Sequence, residues 1–535
     1  MTLSNDPWQS FAAAAVIVVL TWRYIIYPAF FSPLSQIPNA HWSAPFSSFW
    51  ILKVRFFRYE NRTLAAAHRR LGSVIRLGPQ ELSINDLASV RTVYQGGFDK
   101  PVWYSVFDNY GVPCMFSARY SAEHSVRKRM ISNVYSKSYI QSSPAASAQA
   151  LSIISDRLLP IIEDSTAEAQ VPHGIDIYSV YMAATMDFIA AYIFGLQGGT
   201  DLLGDKGFRG HFLELYRIRN GYGFFDQELP RFTKFCRKIG IPFCPRFVDL
   251  ATAELCEWCQ RLCDNMLGFF NAGCRPAVGS QDDPVVMGTL VNALEREKAT
   301  KGQGSVLYST ALSNFRLLVA SELIDHVLAG FETSGLALTY LSWRLSQSLE
   351  LQNELRTELL GLTPNMQRHT DGTIDLADAK QLDSLPLLHA VLMETLRLHA
   401  PIPGPQPRET PQSGCKIGPY IVPGGVRIAA LVYALHRDET VFPAPEQWDH
   451  TRWLPSFASE EEKRQRNRQF WAFGSGGRMC IGSNFAMHEM KLIIAAIYSN
   501  YTSHIVDDEG VASQGDGYTG RPAKERLYLR FEKTG

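Results

Sequence analysis

Cys480 stands in the decapeptide Phe473-Gly474-Ser475-Gly476-Gly477-Arg478-Met479-Cys480-Ile481-Gly482, whose residue types suit a thiolate bound to iron. Such a sulfur needs backbone N–H groups aimed at it, because those hydrogen bonds and local burial set the redox potential. Gly474, Gly476 and Gly477 allow a tight backbone path without a Cβ penalty. A helix-forming run, Phe485 to Tyr498, follows directly and brings a positive N-terminal end toward the sulfur. The guanidinium of Arg478 suits a carboxylate on a bound group. The competing reading is an ordinary buried cysteine beside a turn. A fixed Phe, two Gly, Arg and Cys at set spacings arise by chance in roughly one chain in ten thousand on average residue usage, which favours the metal ligand.

Ala329-Gly330-Phe331-Glu332-Thr333-Ser334 lies inside a long helical run. A glycine and two small hydroxyl residues cost helix stability relative to alanine, so a compensating use is expected. Thr333 can bond back to the i−4 carbonyl and open the helix locally, and Gly330 lets a ligand approach the backbone. Glu332 and Thr333 supply a carboxylate and a hydroxyl, types suited to a proton relay. Glu394 and Arg397 sit at i, i+3 on a helix beginning near Leu385, a pair worth only tenths of a kcal/mol if exposed. His124 and Lys128 lie four apart in a basic helical segment, and Arg408 follows Pro405-Gln406-Pro407. For each of these bases the alternative is a solvated surface charge.

The decapeptide fits F-x-x-G-x-R-x-C-x-G at every fixed position and resembles the heme loop of the cytochrome P-450 superfamily. Five motifs follow that family's order from about Ile37 to the C-terminus, in a style most similar to fungal microsomal members. The resemblance implies one large domain, mainly α with a minor β subdomain, holding heme b (iron protoporphyrin IX). It implies that Cys480 is the axial iron ligand, in a cofactor-binding loop with Phe473, Gly476 and Arg478. Thr333 would hydrogen-bond dioxygen on the distal face, and Glu332 would deliver protons through water. His124, Lys128 and Arg408 would face the heme carboxylates. Glu394 and Arg397, with Arg452 after Phe442-Pro443-Ala444-Pro445-Glu446-Gln447-Trp448, would form a structural charge cluster behind the heme. Lys128 stands where arginine is more usual, and Ser334 where threonine often stands.

These residues need a large frame, and the chain can build one. Its 535 residues are 46% hydrophobic and 19% charged with zero formal net charge, a globular composition without the basic excess of a nucleic-acid binder. Nine scattered cysteines suggest a reducing compartment. Cys256-x-x-Cys259-x-x-x-Cys263 lacks a second ligand pair and reads as a buried stripe on a helix from about Thr252 to Phe270. An apolar run over residues 11–31 exceeds the roughly 20 residues that cross a bilayer. It divides the chain into a short lumenal N-terminus (1–10), a transmembrane anchor (11–31), a proline-bearing hinge (32–40) and the catalytic domain (41–535). Arg23 follows the first stretch of the run, Phe11 to Trp22, and Lys53, Arg55 and Arg58 come after the whole of it, which places the domain on the cytoplasmic side of the endoplasmic reticulum membrane. Two short strands are expected at 74–79 and 81–84, helices from about 121 to 270, and a mobile polar connection at 273–304. A long helical run from Thr310 to Leu349 and further strands at 418–432 complete the frame.

The leading functional expectation is a monooxygenase that inserts one atom of dioxygen into a lipophilic substrate, as a tailoring step in fungal secondary metabolism. Terpenoid, polyketide or alkaloid scaffolds fit the candidate lining, Trp103, Tyr104, Phe107, Tyr222, Phe224, Phe225 and Ile402 to Pro405. A fatty-acid or xenobiotic hydroxylase is the alternative, with a reductase-independent heme-thiolate isomerase or dehydratase ranked below it because Glu332-Thr333 is intact. Only about 55 residues follow Cys480, too few for a flavin domain. Electrons must therefore come from a separate NADPH–cytochrome reductase, with cytochrome b5 as an accessory donor. The run Lys463-Arg464-Gln465-Arg466-Asn467-Arg468, with Arg127 and Arg129, is a candidate docking face for an acidic redox partner. Asn61-Arg62-Thr63 and Asn500-Tyr501-Thr502 are formal glycosylation sequons expected to stay unmodified on the cytoplasmic side.

Overall fold

The computed structural model describes residues 7–166, 173–309 and 312–534. Helices dominate, and the strands among the described residues form three small sheets, as expected of a mainly α chain with a minor β component. β1 (Val74–Gly78) and β2 (Glu81–Ile84) make the antiparallel hairpin that Gly78-Pro79 signals. β3 (Ile175–Asp176) belongs to a second sheet, and β4 (Arg408–Glu409) closes the first, in which β7 (Arg427–Ala430) runs parallel to β2. β5 (Cys415–Ile417) and β6 (Tyr420–Val422) pair alone, while β8 (Tyr501–Asp507) and β9 (Tyr528–Lys533) complete the second sheet beside β3.

The core is built on two crossing helices. Ile177–Phe194 is apolar all round and buried at every position except Ser179, as a helix enclosed on all sides must be. Phe315–Leu345 packs against it, capped by Asn314, whose side chain accepts from the Leu317 N–H. A Cβ on Gly330 would lie 2.7 Å from Ile189 Cγ1, and one on Gly335 would lie 2.8 Å from Met182 Sδ. The neighbouring helix therefore fills the space that a side chain at Gly330 would need, while the glycine itself borders a cavity. The helix also stays continuous through Thr333, so no local opening accompanies its back-bond.

Several expectations give way to packing. Residues 273–304 are no mobile connection: Val285–Lys301 is a helix that buries Val286, Met287, Leu290, Val291 and Leu294, an i, i+3, i+4 stripe. Thr310 lies outside the described residues, and the long helix ends at Leu345, with Ser348 capping a second helix, Leu349–Leu360. Within the expected hinge, Leu34 and Ile37 are 2% and 1% exposed and join a core cluster with Val74, Leu82 and Val422, so that segment is docked. Of the expected lumenal stretch, residues 1–6 lie outside the described residues. Phe11–Phe31 is long and apolar enough to cross a membrane and none of it is buried, whereas Ile177–Phe194 passes the same test only as a core helix. The helix Arg246–Asn271 buries Cys259 and Cys263, and no metal-holding group of His, Cys, Asp or Glu occurs among the described residues.

Candidate active site

The helix Ser483–Asn500 begins three residues after Cys480, with Gly482 at its N-cap. Burial pushes the Cys480 thiol up, while the N–H groups of Gly482 and Ser483 and the Lys128 ammonium favour the thiolate. The Cys480 N–H donates to Phe473 O at 2.9 Å and closes the loop. Gly476 has φ 71°, and a Cβ there would lie 2.3 Å from Tyr94 O, so only glycine fits. That constraint comes from the Tyr94 carbonyl and not from the sulfur.

Cys480 borders a cavity of roughly 1560 Å³. Ordinary ligand pockets span about 300–1,000 Å³, so a large cofactor and a substrate fit together. Leu328, Ala329, Glu332 and Thr333 of the long helix line it, as do Phe107, Phe116, Tyr216 and Tyr518. The Thr333 hydroxyl donates to Ala329 O at 2.9 Å, which leaves its lone pairs free to accept. Of the expected lining, Trp103, Phe107, Tyr222, Phe224, Phe225, Ile402 and Pro405 border the cavity. Tyr104 does not. It is fully buried behind the wall and accepts from Arg408 Nη1 at 3.1 Å.

Glu332 is not a free carboxylate. It pairs with Arg521 and accepts from the Tyr216 hydroxyl at 2.9 Å, so its oxygens tie the long helix to Lys206–Gly221 and to the C-terminal loop. Arg521 stands 189 residues away in sequence, beyond the reach of any local pattern.

Basic residues collect on one wall. His124, Arg408 and Arg478 line the cavity with Lys100, which the sequence did not single out. Lys100 donates to Phe116 O at 2.5 Å and sits 4.0 Å from the Tyr104 and Phe116 ring centroids. Arg478 donates to Ala118 O and, at 2.8 Å, to Arg119 O. Among the described residues Lys100, Arg408 and Arg478 form no ion pair. Burial lowers Lys100 well below its usual value, holds Arg478 to about 10 and drops His124 to about 3. Lys128 is committed elsewhere: its ammonium donates to Gly477 O at 2.9 Å and Met479 O at 3.2 Å, bracing the Cys480 loop. Buried cations without counter-ions call for an anionic group in the cavity. The thiol, the loop and this cationic wall fit an iron porphyrin with two carboxylates.

Glu394, Arg397 and Arg452 meet as a buried cluster away from the cavity. Glu394 and Arg397 are fully buried, paired at 2.7 Å, and Arg452 Nε lies 3.4 Å from Glu394. Arg397 also donates to the carbonyls of His436, Pro445 and Gln447, and Trp453 Nε1 donates to Glu394 at 2.9 Å. This fixes the helix Pro386–Leu398 against the segment that leads into the Cys480 loop.

The family model for cytochrome P450 matches residues 314–524, the stretch that carries the long helix, this cluster and Cys480. The chain is 26% identical over 450 residues to the cytochrome P450 monooxygenase avaI of Aspergillus versicolor, covering 81% of this chain and 96% of that protein. It is 23% identical over 533 residues to the monooxygenase tazI of Aspergillus terreus, covering 98% and 97%. Residues 314–524 thus match a cytochrome P450 domain, and the chain is similar to cytochrome P450 monooxygenases over most of its length. The relatives are named monooxygenases, which are oxidoreductases, and the matching family carries a thiolate-ligated heme iron.

Of the expected docking face, Arg127 and Arg466 are buried, whereas Arg129, Arg464 and Arg468 stay exposed. Arg127 is 2% exposed and pairs with Glu123 at 3.0 Å and Glu322 at 2.9 Å, so it steers no partner. In the helix Glu460–Gln469, Lys463 and Arg464 are neutralised by Glu460 and Glu461, and Arg466 is buried against Arg452 O. The run is a capped, self-paired helix.

Proposed function

We propose that this protein holds heme b through Cys480 and inserts one oxygen atom from dioxygen into a lipophilic substrate, with NADPH-derived electrons from a separate reductase. The observation that carries the reading is the shared cavity. Cys480, with two N–H groups at its sulfur, and the Thr333 hydroxyl border the same space. When bound, the heme activates dioxygen and transfers one oxygen atom. Arg408, Arg478, Lys100 and His124 hold its carboxylates, and Phe473 and Gly476 shape the loop beneath it. Thr333 accepts a hydrogen bond and positions water on the opposite side. Phe107, Phe116, Tyr216 and Tyr518 exclude bulk water and favour an apolar substrate. A tailoring step in fungal secondary metabolism is the reading we take for a chain similar to Aspergillus monooxygenases with an aromatic-lined cavity.

The exposed apolar run Phe11–Phe31 supports an anchor in the endoplasmic reticulum membrane with the catalytic domain facing the cytoplasm, where the reductase and cytochrome b5 would reach it. Cys480→Ala tests the whole reading. The wild type, reduced under carbon monoxide, should give the absorption of a thiolate-ligated heme, and the variant should lose it. A variant with the full wild-type spectrum would overturn the assignment.

A further inference from the structure

His326 lies on the long helix two turns before Thr333, so the two share a face about 10 Å apart along the axis. It is 6% exposed and borders the active-site cavity together with Tyr135, which is 2% exposed. The Tyr135 hydroxyl and His326 Nδ1 are 2.8 Å apart, whereas His326 Nε2 closes no hydrogen bond. If Nδ1 carried the ring proton, the Tyr135 proton and Nε2 would both go unused. If the phenol donates to Nδ1, only the Nε2–H lacks a partner, and we assign that tautomer. Burial lowers His326 to about 4, so at neutral pH the imidazole is an uncharged base that already accepts from the phenol.

This pairing sets Tyr135 apart from other phenols at or behind the cavity wall. Tyr94, Tyr104 and Tyr216 each carry a cation over the ring, Arg408 at 4.8 Å, Lys100 at 4.0 Å and Arg521 at 5.4 Å. A positive charge held there opposes the loss of an electron from the ring. Tyr192 donates to Val134 O, and a carbonyl is no base for the proton that an oxidised phenol sheds. The charged groups that bear most on Tyr135 are Cys480, Asp325 and Glu489, all of them acids. Asn484, on the helix that follows Cys480, donates to the Tyr135 carbonyl at 3.1 Å and fixes the residue beside the cysteine. The Tyr192 ring lies 5.9 Å from that of Tyr135 and stacks on Phe485 at 4.7 Å, which keeps water from the phenol. A basic partner, an acidic field and a dry, fixed position are what an electron-donating phenol needs.

We propose that Tyr135 and His326 are a redox pair that returns electrons to the heme when it is oxidised with no substrate in place. The proposal rests on the heme site of the monooxygenase reading and adds a second, protective activity to it. The oxidant is hydrogen peroxide acting through the heme, and each peroxide takes up two electrons and two protons to become two waters. In one pass an electron leaves Tyr135 for the heme. The phenolic O–H bond breaks, an N–H bond forms at His326 Nδ1, and the ring passes one proton on through Nε2 to cavity water. A neutral phenoxyl remains. A hydrogen atom from a reductant of the ascorbate type restores the phenol, and a second pass supplies the other electron and proton. Peroxide and ascorbate thus become two waters and dehydroascorbate.

The experiment uses the full-length holoprotein without substrate, mixed with hydrogen peroxide and frozen rapidly. Electron paramagnetic resonance should show a neutral tyrosyl radical. Tyr135→Phe, which keeps the ring, should lose it, and His326→Phe should shift it because the phenoxyl oxygen has no hydrogen bond. Heme absorption should decay severalfold faster under peroxide in both variants, and ascorbate should protect the wild type but not Tyr135→Phe. A purely structural pair predicts that Tyr135→Phe keeps the wild-type radical and the wild-type rate of heme loss. That result overturns the proposal, as does a wild-type protein with no tyrosyl signal. If a variant fails to fold, the wild-type radical in D2O decides the matter. Coupling to an exchangeable proton at its oxygen, expected from His326 Nδ1–H, should vanish there, and a radical without such coupling overturns the pair. Absence of the thiolate-type carbon monoxide spectrum in the wild type would instead overturn the monooxygenase reading.

Discussion

Thr333 shows how one hydroxyl can be read from sequence and then redefined by its bond. The residue type and the helical context predict a back-bond to the i−4 carbonyl, and the hydroxyl makes it to Ala329 O. Because that proton is spent, Thr333 is left with its lone pairs to accept. Thr333→Ala should therefore retain heme and its carbon monoxide spectrum while product formed per NADPH falls and peroxide rises. Loss of one positioned group in proton transfer costs on the order of 10²–10⁴ in rate. Unchanged product per NADPH in the variant would remove Thr333 from the relay. Cys480 could be singled out because its loop pattern is local, whereas the demand for glycine at 476 comes from the Tyr94 carbonyl far away in sequence. Glu332 was legible as a type, but its partners Tyr216 and Arg521 lie 116 and 189 residues away and leave no spacing to read. Lys100 was missed for a similar reason, since a lone lysine before Pro101 has no periodic signal and gains meaning only between Tyr104 and Phe116.

Among the elements, the short helix Phe224–Glu228 forms part of the cavity wall and is held there by charge. Its last residue, Glu228, accepts from Trp103 Nε1 at 2.7 Å, Arg427 Nη1 at 3.0 Å and Arg55 Nη1 at 3.1 Å. Arg55 also bonds Glu60 and Glu81, so the charge expected near the membrane surface is buried under this helix. Burial alone would raise Glu228, but Arg427 and Arg55 outweigh it and hold it to about 2. With the folded pKa depressed, its stabilisation is present above the ordinary carboxylate range and is lost as pH falls toward 2. Glu60 moves the other way, to about 6, because burial outweighs Arg55, so its ionisation costs stability as pH rises from about 4.5 to 6. Glu228→Gln leaves Arg427 and Arg55 short of charge, and unpairing a buried ion pair costs roughly 3–5 kcal/mol. The variant should be cut faster by protease within residues 222–245 and release a lipophilic ligand faster. Wild-type rates for both would show that the helix is held by its aromatic contacts, such as Phe56–Phe224 at 5.2 Å.

For the molecule as a whole, helix content, the first hairpin and the anchor-like run could be read from periodicity and composition. The mobile segment and the hinge were misread because each looks polar or proline-rich in sequence while its few apolar residues find a core. The sequons fail for the same reason: Asn61 is fully buried and donates to Gly517 O, and the Asn500 amide donates to Met366 O and Ala496 O. A glycan on either side chain would displace these bonds, so both sites are expected to stay unmodified in the folded protein. Chain shortening can report how the anchor joins the domain. Removing residues 1–27 should leave thermal stability close to that of the full chain. Removing residues 1–38 also deletes Leu34 and Ile37, and large core side chains typically cost 2–5 kcal/mol each. Equal melting temperatures for the two would contradict the docking of that segment.

Arg76 sets where such a cut can fall. Its guanidinium is fully buried in β1, burial lowers it to about 10, and it is satisfied by three carbonyls: Gly78 O at 3.2 Å, Pro79 O at 3.0 Å and Pro28 O at 2.9 Å. The third lies within the stretch that crosses the bilayer in the proposed topology. The anchor and the catalytic unit therefore share residues and have no swivel between them. A rod fixed to a plate transmits its tilt, so in that topology the bilayer would set the attitude of the sheet and, through Glu81 and Arg427, of the helix in the cavity wall. Substrates dissolved in lipid would meet the entrance at a constant height, and a shortened, freely tumbling enzyme would lose that advantage even with its chemistry intact.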